Sequence, residues 1–461
     1  MNFEYFRVIE NWYKEYNVNH HHIESFNNFL THGIRQIIES NPISFTTSKG
    51  NNIQILIDNI YIPKPFVYDE YRKIINITPH ECRMKNLTYS SPIYVSLIYL
   101  ENGTPQYIDG IILANIPIMI RSNSCTLGKY DKNNDECYND PGGYFIINGI
   151  DRVLVSQRRD IYNSIRIYDE KDKYSYRAEI RSMSDDTNHS VLIQLFITTN
   201  GNDIFMNLPF IKNNILISII FMAFNLDEND VVDKLFLFEK DIVIRKKIRY
   251  IIHHLFEDMR LNNISTQEEA LQYIGSCGTK ITGDQDVKEY AKQVLFTELF
   301  PHLGIFSEVN TKIDLLIYIV YKLLYVYHKS DTYKNDRDNL IYKRFENSGI
   351  LLYELFKSLY RGCITDLEND YEKNMNIIDI FNKIDNNITK NIKYCFSTGK
   401  WGVQRNSYIR QGVSQVLSHL SYISMLSHLQ RVVIPVGKEG KNFNIRQTAC
   451  IPKLERLSIS T

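Results

Sequence analysis

A stretch near the carboxyl end of the sequence carries cations without acids. Neither Asp nor Glu occurs between Asp385 and Glu439, although the whole sequence contains 53 Lys and Arg and 53 Asp and Glu. From residue 386 onward, eleven Lys and Arg stand against two Glu, a net charge of +9 in a formally neutral chain. A charge excess confined to one region predicts local contact with a polyanion, and a solvated face is the alternative.

Apolar and small polar side chains accompany these cations. Residues 409–429 place apolar side chains at helical spacing, which predicts a helix whose other faces carry Gln415 and several Ser. Hydroxyl and amide groups of this size permit close approach to phosphate and sugar oxygens. Cations bracket the predicted helix at Arg405, Arg410 and Arg431.

A loop punctuated by glycine follows the predicted helix, in the segment IPVGKEGKNFNIRQ. Its two Gly allow backbone N–H groups to lie against a nucleic-acid strand, and its Lys and Arg supply positive charge. The pattern also fits a buried Ser-rich helix with a hairpin loop. We predict a nucleic-acid contact made by the cations and amides of both segments: Arg405, Arg410, Gln415, Arg431, Lys438, Lys441, Arg446 and Gln447.

No self-contained catalytic motif accompanies the basic region. The sequence shows no phosphate-binding glycine loop, no nucleophile–His–acid arrangement and no carboxylate cluster, so no catalytic residue is predicted. The seven Cys form no CxxC pair, which predicts reduced thiols in an intracellular protein rather than structural zinc. The His triplet at residues 20–22 has no Cys or second His cluster beside it, so it is interpreted as a helix surface or cap. No metal ligand is predicted.

The length of 461 residues predicts two or three domains, and the apolar periodicity predicts a mixed α/β chain. A boundary near residue 175 separates a strand-rich part from a mixed and then helical part. The amino terminus lacks the apolar core of a signal peptide, and no apolar run reaches membrane-spanning length. Strands are predicted at residues 53–62, 93–100, 144–147, 153–156, 174–181 and 190–198. Helices are predicted at residues 23–38, 231–259, 288–299, 310–328, 348–360 and 374–394.

Eight segments, in chain order, resemble signatures of the second-largest (beta-like) subunit of multisubunit DNA-directed RNA polymerases. Eight ordered matches are specific, whereas a single match could arise by chance. The segments are HIESFNNFL, HECRMKNLTYSSPIYV, IPIMIRSNSCTL, GGYFIINGIDRVLVSQ, YRAEIRS, ALQYIGSCG, NDRDNLIYKRFENSGILL and the basic stretch that begins TGKWGVQRNSYIRQGVSQ.

The resemblance implies an α+β multidomain fold made of the family's protrusion, lobe and fork. Its motifs assign residues 1–176 to the first part of the protrusion and 177–343 to the lobe. Residues 344–399 are assigned to the return of the protrusion, and 400–461 to a truncated fork region. The family continues with hybrid-binding, wall and zinc-bearing clamp regions. The chain is therefore expected to be an amino-terminal part: a fragment made for expression, one piece of a split subunit, or a product interrupted by an intron or intein.

The resemblance also implies DNA-templated RNA synthesis, with the fork contacting the downstream duplex and the RNA–DNA hybrid near the active centre. In this family Mg²⁺ drives nucleotidyl transfer and is held mainly by the largest subunit, so this chain alone is expected to be inactive and to hold no cofactor. The implied partners are the largest subunit, the remainder of the second subunit, the DNA template and the RNA–DNA hybrid, with no membrane. A stand-alone nucleic-acid-binding module and a subunit-assembly module are the alternatives.

The residue sequence of the basic stretch, in a chain rich in Asn, Ile and Tyr, resembles polymerases of large cytoplasmic DNA viruses. This resemblance implies a viral factory in the cytoplasm, or a virion, as the location of the protein. A nuclear eukaryotic enzyme is the alternative.

Overall fold

The computed structural model describes most of the chain, with gaps between the described ranges. Within the chain, two compact units form: Met1–Arg159 together with Arg344–Thr461, and Asp160–Lys343. Both combine helices with antiparallel strands, which confirms the predicted mixed α/β fold. The described residues are 7, 11, 18–46, 52–68, 71, 73–127, 136–137, 139–170, 173–184, 189–278, 286–304, 309–329, 340–372, 376–402 and 410–433.

The helical pattern near the amino terminus forms α1 (His20–Asn28) and α2 (Ile34–Glu39), joined by a π-helical turn (Phe29–Gly33). The prediction of helix over residues 23–38 is confirmed, with the π turn as an added irregularity. One face of this segment is buried because its apolar residues recur every three or four positions. The buried apolar residues include Phe26, Phe29, Ile34 and Ile37.

In the described ranges of the first unit, nine strands and one further helix follow. A four-stranded antiparallel sheet has the order β1-β2-β5-β6, and β3 pairs with β4, with the following bounds: β1 (Ile43–Thr46), β2 (Asn52–Tyr61), β3 (Phe66–Tyr68), β4 (Ile74–Asn76), α3 (Pro79–Met84), β5 (Ser90–Glu101), β6 (Thr104–Pro117), β7 (Phe145–Ile147), β8 (Ile150–Leu154) and β9 (Ser156–Asp160).

The predicted hairpin after residue 144 is confirmed, because β7 and β8 pair antiparallel with Ile147 opposite Ile150. Asn148 and Gly149 form its two-residue turn with φ of 50° and 77°. Such left-handed values suit Asn and Gly in tight hairpins. The return strand begins directly after this turn, so the predicted start at residue 153 is wrong.

The second unit contains a five-stranded antiparallel sheet in chain order, formed by β10 (Ile165–Asp169), β11 (Tyr174–Met183), β12 (Ser190–Thr198), β13 (Ile204–Asn207) and β14 (Ile215–Leu216). Its helices are α4 (Ile217–Ala223), α5 (Glu228–Phe236), α6 (Ile242–Leu261), α7 (Gln267–Ser276), α8 (Val287–Gln293) and α9 (Val309–His328). Helix α9 packs against β11, α5 and α6, and a separate apolar core joins the helices to the sheet.

The helix predicted over residues 231–259 is in fact two helices, α5 and α6. The break is fixed by the buried Glu239, whose carboxylate accepts hydrogen bonds from the backbone N–H groups of Lys240 and Asp241, both at 2.9 Å. A side chain that bonds its own backbone in this way competes with the helical hydrogen bonds. Apolar spacing alone therefore missed this boundary.

The second unit begins at Asp160, earlier than the lobe predicted to start at residue 177. Strands β10 and β11 pair antiparallel with Ile165 opposite Ile180, so residues before 177 belong to the same sheet. The unit ends at Lys343, where the predicted lobe also ends. The assignment of these segments to a protrusion, lobe and fork stays a prediction.

The chain returns to the first unit through β15 (Lys343–Glu346), α10 (Ser348–Glu372), α11 (Ile377–Thr398), β16 (Ser414–Val416), α12 (Tyr422–Leu429) and β17 (Val432–Val433). Helix α11 buries an Ile at every fourth position and packs against β6. Helix α10 packs against both α1 and α11. Across the described ranges, no helix is long and apolar enough to cross a membrane.

Candidate nucleic-acid interface

The predicted helix over residues 409–429 is wrong, because only its last third is helical. Residues 414–416 form β16, which pairs antiparallel with β8, and helix α12 begins at Tyr422. Gly412 has a φ of 77°, and Ser421 caps α12 by accepting a hydrogen bond from the N–H of Ser424 at 3.1 Å. The backbone of residues 414–416 pairs with β8 instead of forming the hydrogen bonds of the predicted helix, so tertiary context overrides the local pattern.

Three of the eight predicted contact residues, Arg410, Gln415 and Arg431, lie in the part of the chain that the structure describes. Arg410 contacts carboxylates, Gln415 is hydrogen-bonded within the segment, and Arg431 is exposed to solvent. The other five lie outside the described residues, and the role predicted for them stays a prediction: Arg405, Lys438, Lys441, Arg446 and Gln447.

Arg410 is paired with Trp401 through backbone hydrogen bonds. The N–H of Trp401 donates to the carbonyl of Arg410 at 2.7 Å, and the N–H of Arg410 donates to the carbonyl of Trp401 at 3.0 Å. The buried indole of Trp401 also donates its Nε1–H to the carbonyl of Leu351 on α10, at 3.0 Å. Trp401 and Arg410 are therefore fixed side by side on the first unit.

The guanidinium of Arg410 points toward carboxylates. Its Nη1 pairs with Glu346, whose side chain is 1% exposed, and its Nη2 lies 3.8 Å from Glu354 Oε2. Arg159 contacts both acids too, at 2.6 Å and 2.8 Å. Burial and the neighbouring Glu346 raise the pKa of Glu354, and the two Arg oppose that rise. Arg410 thus belongs to a network of two Arg and two Glu, in which Glu346 is buried and the other three side chains are partly exposed.

Gln415 has its amide engaged within the segment. Its Nε2–H donates to the carbonyl of Gly412 at 2.9 Å, and its Oε1 lies 3.0 Å from His428 Nε2. Because His428 Nδ1 accepts a hydrogen bond from the N–H of Ser418 at 3.2 Å, the neutral ring carries its proton on Nε2 and donates it to Gln415. Burial, together with the charge of Arg431, lowers the pKa of His428 and favours this neutral form.

Arg431 is exposed to solvent directly after α12. Lys390 and Lys400 on and after α11 are exposed as well. Within the described part of the chain, the side chains of Lys390, Lys400 and Arg431 have no hydrogen-bond or ion-pair partner. Their charge is therefore free to attract a polyanion from solution.

The apolar side chains of the segment divide between the core and the surface. Val413, Met425 and Leu429 are buried, whereas Leu420 is 93% exposed and Ile423 is 78% exposed. Helical spacing groups Leu420 and Ile423 with the buried residues on one predicted apolar stripe, and the structure exposes both instead. The stripe was drawn on a helix that does not form over residues 410–421.

His22 anchors the segment, a role that the sequence interpretation missed. His22 is buried, so the interpretation as a helix surface or cap is wrong for this member of the triplet. Its Nε2 lies 3.0 Å from the carbonyl of Leu429 on α12, and its Nδ1 lies 3.2 Å from Ser348 Oγ on α10. Burial lowers the pKa of His22 to about 3, so the ring stays neutral. Long sequence separation left no local signal for these contacts.

Asp151 on β8 is a second anchor that the sequence did not reveal. Its carboxylate pairs with Arg83 at 2.9 Å and lies 3.1 Å from His419 Nε2. Its carbonyl accepts a hydrogen bond from the N–H of Leu417 at 2.9 Å. Side chain and backbone of one residue therefore hold residues 417–419 beside β8.

The buried thiols of the first unit are poor metal ligands. Burial raises the pKa of Cys82 to about 12 and that of Cys363 to about 11. The thiolate is the form that binds zinc, and burial disfavours it here. All six described Cys are free thiols.

The family model described as RNA polymerase beta subunit matches residues 17–394. The chain is 31% identical to a probable DNA-directed RNA polymerase II subunit RPB2 homolog of Invertebrate iridescent virus 6, covering 93% of this chain and 41% of the relative. It is 30% identical to DNA-directed RNA polymerase II subunit 2 of Arabidopsis thaliana, covering 95% and 40%.

A more distant relative is the archaeal DNA-directed RNA polymerase subunit Rpo2 of Saccharolobus solfataricus, which is 26% identical over 96% of this chain. The chain spans about two fifths of the length of each of these relatives, between 39% and 41%. The match of the family model to most of the chain shows that the protein belongs to the RNA polymerase beta subunit family.

Proposed function

We propose that the chain acts as the amino-terminal part of the second-largest subunit of a DNA-directed RNA polymerase. The observation that supports this most strongly is the similarity to polymerase subunits over 93% to 96% of the chain. In the assembled enzyme the proposed partners are the largest subunit, the remainder of the second subunit, the DNA template and the RNA–DNA hybrid. Mg²⁺ chemistry would be supplied mainly by the largest subunit, and purified chain alone is expected to extend no RNA.

The acid-free segment is the proposed nucleic-acid surface. Its frame is anchored by the Trp401–Arg410 bridge, by the hydrogen bond between Gln415 and His428, and by His22. Arg431 and the other predicted cations of the segment would neutralise phosphates of the nucleic acid. Because the segment lacks carboxylates, it would not repel the phosphate backbone. Arg410 and Gln415 support the frame, so their contribution to binding would be indirect.

A subunit-assembly role for the same face is the second candidate, and a specific observation favours it. Val416 is 56% exposed, and Leu420 and Ile423, which follow it closely in sequence, are exposed as well. Exposed apolar side chains that form one patch are typical of protein contacts. This role would place another part of the polymerase, rather than nucleic acid, on α12.

Co-purification with crosslinking separates the candidates. The tagged chain is expressed in cells that make the whole polymerase, with a photo-reactive residue at position 431, and position 35 on α2 serves as an exposed control. Polymerase function predicts recovery of the largest subunit and the rest of the second subunit, with nucleic-acid crosslinks from position 431 only. Recovery of neither subunit would refute the proposal. Recovery of both without nucleic-acid crosslinks would support the assembly role.

The proposed location is the cytoplasmic viral factory or the virion, supported by the similarity to an iridescent-virus relative. The similarity to a plant polymerase II subunit supports a nuclear location instead. Fluorescence imaging of the tagged chain in its own host, with a DNA stain, distinguishes a cytoplasmic DNA focus from the nucleus.

A further inference from the structure

Three side chains that bind metals in many proteins converge in the second unit. Asp203 lies in the turn between β12 and β13, and His254 and Asp258 lie one helical turn apart on α6. One ligand atom from each of the three falls within 4.8 Å of the other two. Asp203 is far in sequence from the helical pair, so local spacing gives no sign of this cluster.

The distance between two of these atoms is compatible with a shared ion. His254 Nδ1 lies 3.2 Å from Asp258 Oδ2. The same Nδ1 is buried and has no aligned hydrogen-bond partner among the described residues. Two ligands of a tetrahedral zinc ion with bonds of about 2.0–2.1 Å lie roughly 3.3 Å apart. The observed separation therefore matches two ligands that face one ion.

The neighbouring His253 provides a contrast on the same helix. Its Nδ1 lies 2.9 Å from Glu228, whereas its Nε2 lies 3.3 Å from Glu257. The two carboxylates thus stand on opposite sides of the ring and cannot meet at one point. A His beside two acids is therefore common to both positions, and only His254 brings its acids together.

The backbone around the three ligands is fixed without any ion. The N–H of Asp203 donates to Thr198 Oγ1 at 3.2 Å, and the N–H of Thr198 donates to the carbonyl of Asp203 at 3.1 Å. Gly201 in this turn has a φ of 74°, and an added Cβ would lie 2.3 Å from the hydroxyl of Tyr327. The positive φ of this turn therefore favours Gly at position 201.

We propose that Asp203, His254 and Asp258 bind one transition-metal cation, of which Zn²⁺ fits best, with solvent completing the coordination. One nitrogen and two carboxylate oxygens suit Zn²⁺ better than Mg²⁺ or Ca²⁺, which prefer oxygen ligands alone. The side chains of His254 and Asp258 are 33% and 32% exposed, so the ion can enter and a water can reach it. The ion would join the β12–β13 turn to α6.

The test is calorimetric titration of Zn²⁺ into the full chain after treatment with a chelator. His254→Gln and Asp258→Asn remove proposed ligands, and His253→Gln is the matched control. Removing a ligand should weaken the site by more than the roughly 10–100-fold cost of losing a residue that only supports a ligand. The unaltered chain and His253→Gln should share one binding event that both ligand variants lack.

Zn²⁺ bound elsewhere, for example at Cys or at the His triplet, would persist in all four proteins and is thereby separated from the proposed site. Melting temperatures of the metal-free proteins check that each variant folds. Equal Zn²⁺ binding by His254→Gln and His253→Gln would overturn the proposal.

Discussion

Replacing Arg410 with Ala should destabilise the first unit, because its guanidinium forms an ion pair with the buried carboxylate of Glu346. The side chain of Glu346 is 1% exposed and forms ion pairs with both Arg410 and Arg159. Removing Arg410 leaves this carboxylate with a single cation. It also removes one of two positive charges that oppose the raised pKa of Glu354.

The size of the effect follows from burial and from the remaining partner. Removal of one partner from a fully buried ion pair costs about 3–5 kcal/mol. Arg159 still contacts Glu346 at 2.6 Å, and Arg410 itself is 21% exposed. We therefore expect Arg410→Ala to lower the free energy of unfolding by about 2–3 kcal/mol, against at most ~0.5 kcal/mol for a surface change such as Arg431→Ala.

Trp401 offers a local assay, since its backbone bonds directly to that of Arg410. The sequence has two Trp, so Trp12→Phe in every protein leaves Trp401 as the only indole. Urea unfolding followed by Trp401 fluorescence then reports on this unit. In a Glu346→Gln background the loss of Arg410 should cost clearly less, because the buried charge is gone.

The deficit should also depend on pH. A carboxyl whose pKa is raised in the folded state binds its proton more tightly there, so it opposes folding once it ionises. Loss of Arg410 raises the pKa of Glu354 further, so the deficit should be largest near neutral pH and should shrink as acid protonates this carboxyl in both the folded and the unfolded state. A deficit equal to that of Arg431→Ala at every pH would refute the network account.

Three further outcomes are expected. Gly399→Ala should cost at least about 1–2 kcal/mol of stability, because Gly399 has a φ of 71° and an added Cβ would lie 2.7 Å from the carbonyl oxygen of Ser414. Gly412→Ala, at φ 77° with open space, is its control in thermal melting and should cost less. The pKa of His22, lowered to about 3, makes stability fall between about pH 6.5 and 3 as the unfolded ring takes up a proton, by up to ~1.4 kcal/mol per pH unit. His22→Gln should flatten that slope by one proton in pH-dependent urea unfolding, and an unchanged slope would contradict the assignment. Arg431→Ala should lower the salt slope of nucleic-acid binding by the assembled enzyme by roughly one unit, whereas Arg35→Ala should leave it unchanged.

Local patterns predicted much of the fold. The predicted strand at 190–198 became β12, and the predicted helix at 310–328 became α9, because each buries a face with a clear period. Periodicity failed at residues 409–421, where partners distant in sequence decide the structure. Ser414 lies opposite Leu154 on β8, and no pattern within the segment shows that pairing.

The nucleic-acid contact made by the candidate site stays a prediction, and the structure adds where three of its residues lie. The acid-free charge pattern pointed to one surface, and Arg431 is exposed there. The same pattern could not tell that Arg410 faces Glu346, because a cation in the sequence carries no mark of the acid it will meet. The sequence also gave no sign that His254 lies near Asp203, because the two residues meet only where the β12–β13 turn approaches α6.

The most direct test of the central claim measures how salt affects the lifetime of elongation complexes. Assembled polymerase that carries Lys438→Ala and Arg446→Ala together is compared with the unaltered enzyme and with Arg35→Ala. If these two residues contact phosphates, the double variant should lose roughly two units of salt slope, while Arg35→Ala retains the full slope. An unchanged slope in the double variant would contradict the claim that this segment faces nucleic acid.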